Sequence, residues 1–173
     1  GGYDPKEDDN GSDDIGNAVF IINGRTGALV KRLDTTYSVP SDITLVDTNR
    51  DGRPDRLYFA DVRGNLYRVS VPASGDLLSS ATWNTVEAIK IADLEGRVFY
   101  RPDVVMTKAY AAILVGTGDR EKPALKVTSD RFFLIEASVG KVENGTRLVA
   151  QAGSTIGEIV ANAQKVSAFI GDI

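Results

Sequence analysis

Two short hairpin-like segments, each turning on a glycine, constrain the fold of this chain more than any other feature. Gly27 and Gly64 each lie between two apolar runs, which are Ala18–Ile22 with Ala28–Leu33, and Arg56–Ala60 with Leu66–Val71. Apolar runs on either side of a glycine-containing turn predict β-hairpins. The two glycines are 37 residues apart, which is near the period of a propeller blade, about 40–45 residues.

Further apolar segments continue this pattern along the chain. They are Asp42–Val46, Thr82–Ile91, Arg97–Met106, Ala111–Val115, Phe132–Ile135 and Thr146–Ala150. We expect Thr82–Ile91 to be an outer strand in which Trp83 covers the sheet edge. A closed propeller needs four to eight blades. The sequence therefore predicts an all-β fold, a partial β-propeller of about three antiparallel blades that is a piece of a larger one.

The two ends of the chain differ from this middle region. Residues 1–16 are predicted to be an acidic strand end and loop, residues 17–150 the propeller-like blades, and residues 151–173 a C-terminal tail. Apolar residues in the tail are spaced as on one face of a helix: Ile156, Ile159, Val160, Ala163 and Val166. This spacing predicts a short amphipathic helix of about three turns, which we expect to pack on the domain.

A nine-residue loop carries the clearest sign of a binding site. Side-chain oxygens stand at its positions 1, 3, 5 and 9, glycine stands at position 6, and a backbone carbonyl follows at position 7. These residues are Asp47, Asn49, Asp51, Asp55, Gly52 and Arg53 respectively. Calcium is a hard cation that takes six to eight oxygen ligands, and this spacing is that of an EF-hand-type loop. The sequence predicts a Ca²⁺ site.

Composition excludes several other chemistries. The chain has no cysteine and no histidine, so thiolate sites, the usual zinc ligand and the commonest general base are absent. The net charge of −4 indicates no nucleic-acid partner, and no apolar run is long enough to span a membrane.

The acidic excess lies in the first 14 residues. A second cation site at Asp8, Asn10, Asp13 and Asp14 is conceivable, but a solvated acidic loop is the favoured interpretation because the spacing matches no defined loop.

Several of these segments resemble a known family. Gly1–Pro5, Ala18–Asn23 and Thr26–Leu29 resemble a quinoprotein-type propeller repeat. The segment Asp47–Tyr58, followed by Ala60–Arg68, is more specifically similar to the C-terminal domain of PilY-type proteins, which are tip-associated adhesins and biogenesis factors of bacterial type IV pili. Arg101–Val105 and Val115–Gly118 fit the same family. The resemblance covers roughly residues 1–135.

This resemblance implies a calcium-binding β-propeller module and no enzyme activity. It implies that Ca²⁺ is held by Asp47, Asn49, Asp51 and Asp55 and the carbonyl of Arg53, and that calcium tunes pilus extension, retraction and twitching motility or surface adhesion. The implied partners are pilus subunits or minor pilins and a host or surface receptor. The implied location is the bacterial surface at the pilus tip, reached through the periplasm and outer membrane. Arg50-Asp51-Gly52 is not the Arg-Gly-Asp order, so integrin binding is not carried over.

Two alternatives remain open. The chain could be a fragment of a quinone-dependent dehydrogenase, which shares the propeller repeat. It could also be a calcium-stapled adhesive module of another surface protein, in which the metal holds the fold constitutively and switches nothing. A staple and a switch are equally compatible with the sequence, because a switch requires a two-state element.

Overall fold

The computed structural model describes residues 2–4, 12–107, 110–120, 130–138 and 147–149, which form an all-β structure. These residues contain ten strands: β1 Ala18–Ile22, β2 Leu29–Asp34, β3 Thr44–Val46, β4 Arg56–Ala60, β5 Asn65–Ser70, β6 Ile89–Asp93, β7 Asp103–Met106, β8 Tyr110–Gly116, β9 Phe132–Ser138 and β10 Arg147–Val149. A short 3₁₀ helix, Ser80–Trp83, precedes β6. The predicted C-terminal helix lies outside the described residues.

The strands form three consecutive antiparallel sheets. The first sheet is the hairpin β1–β2, the central sheet has the order β3-β4-β5-β6, and the third sheet has the order β10-β9-β8-β7. Neighbours in every sheet are neighbours along the chain, so each sheet is a meander like a propeller blade. This arrangement confirms the predicted fold class, with about three blades.

The central sheet is buried on both faces. One face packs against the third sheet through Tyr58, Ala60 and Leu66, which meet Ile113, Val115 and Ile135 among others. The other face packs against the first sheet through Leu57, Phe59, Tyr67 and Val69, which meet Val19 and Leu33. Burial on both faces explains why β4 reads as a continuous apolar run instead of alternating with polar residues.

One predicted strand is wrong over most of its length. Thr82–Ile91 was expected to be an outer strand, but only Ile89 onward pairs with β5. Trp83 instead lies in the 3₁₀ helix, is 3% exposed and donates its indole N–H to the carbonyl of Leu77 at 3.0 Å. A buried indole N–H needs an acceptor, and the tight turn provides one.

The described part of the acidic N-terminal region also differs from a solvated loop. Asp4 and Asp13 are buried. The Asp4 carboxylate accepts the backbone N–H of Asp14 at 3.1 Å, and Asp13 accepts the backbone N–H of Ser38 at 2.6 Å. Asp13 is therefore committed to holding the chain after β2. Of the other members of the conceivable second cation site, Asp14 is exposed, and Asp8 and Asn10 lie outside the described residues.

Candidate metal centre

The predicted calcium loop connects β3 to β4, the first two strands of the central sheet. The backbone N–H of Asp55 donates to the carbonyl of Val46 at 2.8 Å, and the carbonyl of Asp55 accepts the backbone N–H of Val71 at 2.8 Å. Position 9 of the loop therefore lies where the backbones of β3, β4 and the end of β5 meet. A displacement of the Asp55 backbone would therefore disturb its hydrogen bonds to Val46, at the end of β3, and to Val71, directly after β5.

Asp47 organises the first half of the loop. Its Oδ1 accepts the backbone N–H of Arg50 at 2.6 Å and that of Asp51 at 3.3 Å, and its Oδ2 accepts that of Gly52 at 2.7 Å. The chain can curl around one carboxylate because Gly52 has φ +85° and Arg50 has φ +63°. Left-handed backbone is unstrained for glycine but costs an arginine about 1–2 kcal/mol. The three bonds to Asp47 offset that cost.

Asn49 and Asp51 continue the same pattern at the exposed tip. Asn49 Oδ1 accepts the backbone N–H of Asp51 at 2.9 Å, and Asp51 Oδ1 accepts that of Arg53 at 2.8 Å. The side-chain amide of Asn49 also donates to Asp51 Oδ2 at 3.1 Å. The loop therefore brings Asp47, Asn49 and Asp51 together through direct hydrogen bonds.

Asp55 is held elsewhere, by Thr48. A single oxygen of Asp55, Oδ2, accepts both the backbone N–H of Thr48 at 2.6 Å and the Thr48 hydroxyl at 2.5 Å. Both bonds favour the ionised carboxylate, so they lower the pKa of Asp55, with smaller contributions from a hydrogen bond to the backbone N–H of Asn49 and from the charge of Arg56. Thr48 did not figure in the sequence prediction. The available signal was a hydroxyl at loop position 2 together with an acid at position 9.

The donor chemistry fits calcium, but the carboxylates do not converge in this conformation. Every predicted side-chain ligand offers a hard oxygen of the type that calcium prefers. However, the described residues contain no group of three or more carboxylate, imidazole or thiol side chains placed to hold a metal ion.

A second buried carboxylate, Asp61, lies at the β4–β5 turn. It accepts the backbone N–H groups of Arg63 and Asn65, both at 3.0 Å, the Asn65 side-chain amide at 2.8 Å and the Tyr67 hydroxyl at 3.0 Å. Burial raises the pKa of Asp61 despite these bonds. Burial, together with the Asp61 charge, also raises the pKa of Tyr67 above its usual range.

Asp61 has a structural task. A perturbed carboxyl group in a cleft is a candidate catalytic group, and a cleft of about 340 Å³ lies above Asn65 and Tyr67. All four donors around Asp61, however, come from Arg63, Asn65 and Tyr67, in the turn and the second strand of the same hairpin. Because the turn uses the acceptor capacity of the carboxylate, Asp61 fixes the hairpin and is not presented to a ligand.

The fold and the loop define a blade-like β-module with an acidic, oxygen-rich loop between two strands. No protein-family model and no curated protein sequence matches this chain. Among solved structures it is similar to the crystal structure of the Pseudomonas aeruginosa PilY1 C-terminal domain, with a TM-score of 0.53 and 23% sequence identity. The match covers 74% of this chain and 32% of that domain, so the chain spans about a third of its length. The resemblance to PilY-type C-terminal domains is thereby confirmed at the level of fold.

Proposed function

We propose that this chain is a calcium-binding β-propeller module of a type IV pilus tip adhesin or biogenesis protein. One observation carries the proposal: an oxygen-rich loop with EF-hand spacing connects two strands of a blade-like sheet, in a fold shared with the PilY1 C-terminal domain. The loop is connected to strands on both sides, so the opening of a helix pair is not its mechanism.

In this proposal Asp47, Asn49, Asp51 and Asp55 hold Ca²⁺ through side-chain oxygens, and Arg53 through its carbonyl. The ion would neutralise three carboxylates that otherwise repel one another. Because the Asp55 backbone is bonded to Val46 and Val71, an ion at this loop would act on the docking of β3 and β5 against β4. That route connects metal occupancy to the blade without a helix.

The proposed module is not an enzyme. A quinone-dependent dehydrogenase needs a catalytic base and cofactor-binding groups that converge in the channel of a closed propeller. The described residues supply three stacked sheets, fewer than the four blades of the smallest closed propeller. The buried carboxylate Asp61 is bonded to its own hairpin. These features favour a binding module.

The partners and location belong to the same proposal. We propose pilus subunits or minor pilins as partners, a host or surface receptor as adhesive target, and the pilus tip at the bacterial surface as location, reached through the periplasm and outer membrane. Within the described residues, no helix is long and apolar enough to cross a bilayer. An adhesive module of another surface protein, with calcium as a constitutive staple, is the competing assignment.

Calcium binding is tested by isothermal titration of chelator-treated protein with CaCl₂, and repeated with Asp51→Ala. We expect wild type to bind one ion and Asp51→Ala to bind at least about tenfold more weakly, because it loses a charged ligand. Arg53→Ala, at position 7 of the same loop, is the matched control. It removes a charged side chain but keeps the backbone carbonyl that is the proposed ligand, so the calcium affinity of this variant should stay near that of wild type. Equal heats for wild type and Asp51→Ala would contradict the proposal.

The same variant tests the pilus assignment. Asp51→Ala in the gene of the full-length protein should reduce twitching motility, whereas Arg53→Ala should not. Normal motility with a folded, exported Asp51→Ala protein would favour the competing assignment. The wild-type affinity separates the two roles of the metal: a Kd of about 10⁻⁴–10⁻³ M suits an extracellular staple, and about 10⁻⁷–10⁻⁵ M suits a sensor.

A further inference from the structure

A second cleft lies where the chain segments that lead into β3 and β7 meet. Its volume is about 490 Å³, within the range of about 300–1,000 Å³ that small-molecule sites occupy. Unlike most such sites, which are largely apolar, it is lined mainly by charged side chains. The charged residues are Asp42, Arg101, Asp103 and Arg120, and the aromatic residues are Phe99 and Tyr100.

The walls of this cleft are fixed to the fold through Pro102. The hydroxyl of Thr44, in β3, donates to the carbonyl of Pro102, which directly precedes β7. Pro102 is buried, whereas Arg101 and Asp103 on either side of it are exposed. Side chains two residues apart on an extended chain lie on the same side. The buried proline therefore directs Arg101 and Asp103 together into the cleft.

The four charged side chains of this cleft are not engaged with one another. Within the part of the chain that the structure describes, no ion pair joins either arginine to either aspartate. The guanidinium of Arg120 instead lies over the ring of Tyr100, 5.5 Å from its centroid. Donors and acceptors of both signs are thus open to a ligand.

The cleft above Asn65 and Tyr67 is different in this respect. Lys90 and Asp93, which line it, pair with each other at 2.8 Å, and both Asn65 and Tyr67 donate to Asp61. Its polar side chains are largely committed to contacts within the fold. The cleft between the β3 and β7 segments is therefore the better candidate for a binding site.

The balance of charges in this cleft selects the kind of ligand. Guanidinium groups offer only hydrogen-bond donors, and carboxylates offer only acceptors. An anion would be repelled by both aspartates, and a cation by both arginines. A hydroxyl group both donates and accepts, so a neutral molecule with several hydroxyl groups satisfies both signs at once. The ring of Tyr100, which is 67% exposed, adds an apolar surface for the C–H groups of such a molecule.

We propose that this cleft binds a neutral carbohydrate. Asp42 and Asp103 accept hydrogen bonds from sugar hydroxyl groups, and Arg101 and Arg120 donate to sugar oxygens. The site shares no residue with the Asp47–Asp55 loop, so it goes beyond the proposed function and does not depend on calcium binding. On a surface protein it would give the adhesive target a chemical class.

A printed array of neutral, sialylated and sulfated glycans, probed with the fluorescently labelled chain, tests the proposal. We expect neutral glycans to be bound, and the strongest of them is then titrated by calorimetry. Asp103→Ala should weaken this binding at least about tenfold, because it removes a charged hydrogen-bond acceptor. Asp93→Ala is the matched control: it removes an exposed acid from the other cleft and should bind like wild type.

Two results would overturn the carbohydrate site. One is a wild-type chain that binds no neutral glycan, or that binds only the sialylated or sulfated ones. The other is equal affinity for the neutral glycan in wild type and Asp103→Ala. Arg101→Ala provides a second variant, which should also weaken binding, and an unchanged thermal unfolding midpoint shows that each variant is folded. A failure of calcium binding leaves these expectations unchanged.

Discussion

At the scale of single residues, Asp55 and Asp61 show how burial decides the behaviour of a carboxylate. Both accept several hydrogen bonds, which favour the ionised form. For Asp55 the Thr48 bonds dominate and its pKa is lowered. Asp61 is 0% exposed, and desolvation dominates, so its pKa is raised although its four donors oppose the shift. The two acids therefore contribute to stability with opposite dependence on pH.

Asp61→Asn should destabilise the protein by about 1–3 kcal/mol, because an amide accepts fewer bonds and leaves a buried donor unsatisfied. Its N–H₂ group would face the side-chain amide of Asn65. Urea denaturation measures the change. Asp76→Asn is the control: Asp76 is exposed and its Oδ1 accepts the N–H of Leu78, a bond that asparagine keeps. Equal midpoints for the two variants would contradict the structural task of Asp61.

The same variant carries a pH signature. Because the folded pKa of Asp61 is raised, the folded state binds this proton more tightly than the unfolded state. The contribution of Asp61 is thus fully present below the unfolded pKa of about 3.9 and is lost as pH rises through the folded value. The penalty of Asp61→Asn should therefore shrink as pH rises from about 4 to about 8. A penalty that grows over this range would contradict the raised pKa.

At the scale of elements, the two hairpins that define the repeat differ in what surrounds their turns. Gly27 has φ +73° with open space around it, whereas Gly64 has φ +86° and lies against the backbone of Gly96. The Gly64 carbonyl also accepts the N–H of Leu94 at 2.9 Å. The first glycine meets a local conformational need, and the second also allows the chain after β6 to approach the β4–β5 turn.

Gly64→Ala should therefore cost far more than Gly27→Ala. At Gly27 the expected penalty is that of a left-handed alanine, about 1–2 kcal/mol. At Gly64 an added Cβ would overlap the carbonyl oxygen of Gly96 and lie 3.1 Å from its nitrogen, which adds about 1–3 kcal/mol for a forced backbone shift. Denaturant unfolding of both variants provides the comparison. A penalty at Gly27 equal to or above that at Gly64 would contradict the close approach.

At the scale of the whole molecule, the central sheet connects two separate apolar cores. One core lies between the first and central sheets, and the other lies between the central and third sheets. Strand β4 contributes to both, since Leu57 and Phe59 face one core while Tyr58 and Ala60 face the other. Neither core can be lost without exposing a face of the same strand. The stack should consequently unfold as one unit.

Val69→Ala and Val115→Ala test this cooperativity with the same chemical change in each core. Val69 is 0% exposed in the first core, and Val115 is 2% exposed in the second. Each should cost about 2 kcal/mol, from two lost methyl groups plus a cavity. Both should lower the midpoint of one transition with an unchanged m-value. Two transitions, each moved by only one variant, would show that the sheets unfold separately.

Much of the fold could be predicted because its signals are local. Strand β4 has the predicted bounds, and the hairpin β1–β2 and the loop between β3 and β4 lie where the sequence places them. The outer strand could not be predicted correctly. Thr82–Ile91 has a strand-like composition, but the burial of Trp83 against the Leu77 carbonyl favours a 3₁₀ turn over its first residues.

The sequence by itself determined the order of the strands, the glycine turns and the set of oxygen donors in the Asp47–Asp55 loop. Each of these depends on backbone sterics and on neighbours a few residues away. The tertiary structure decided which carboxylates are buried and what each one bonds to. Asp13 meets Ser38, and Asp55 turns to Thr48. Desolvation and hydrogen-bond partners depend on what packs nearby in space, which the order of residues along the chain does not specify.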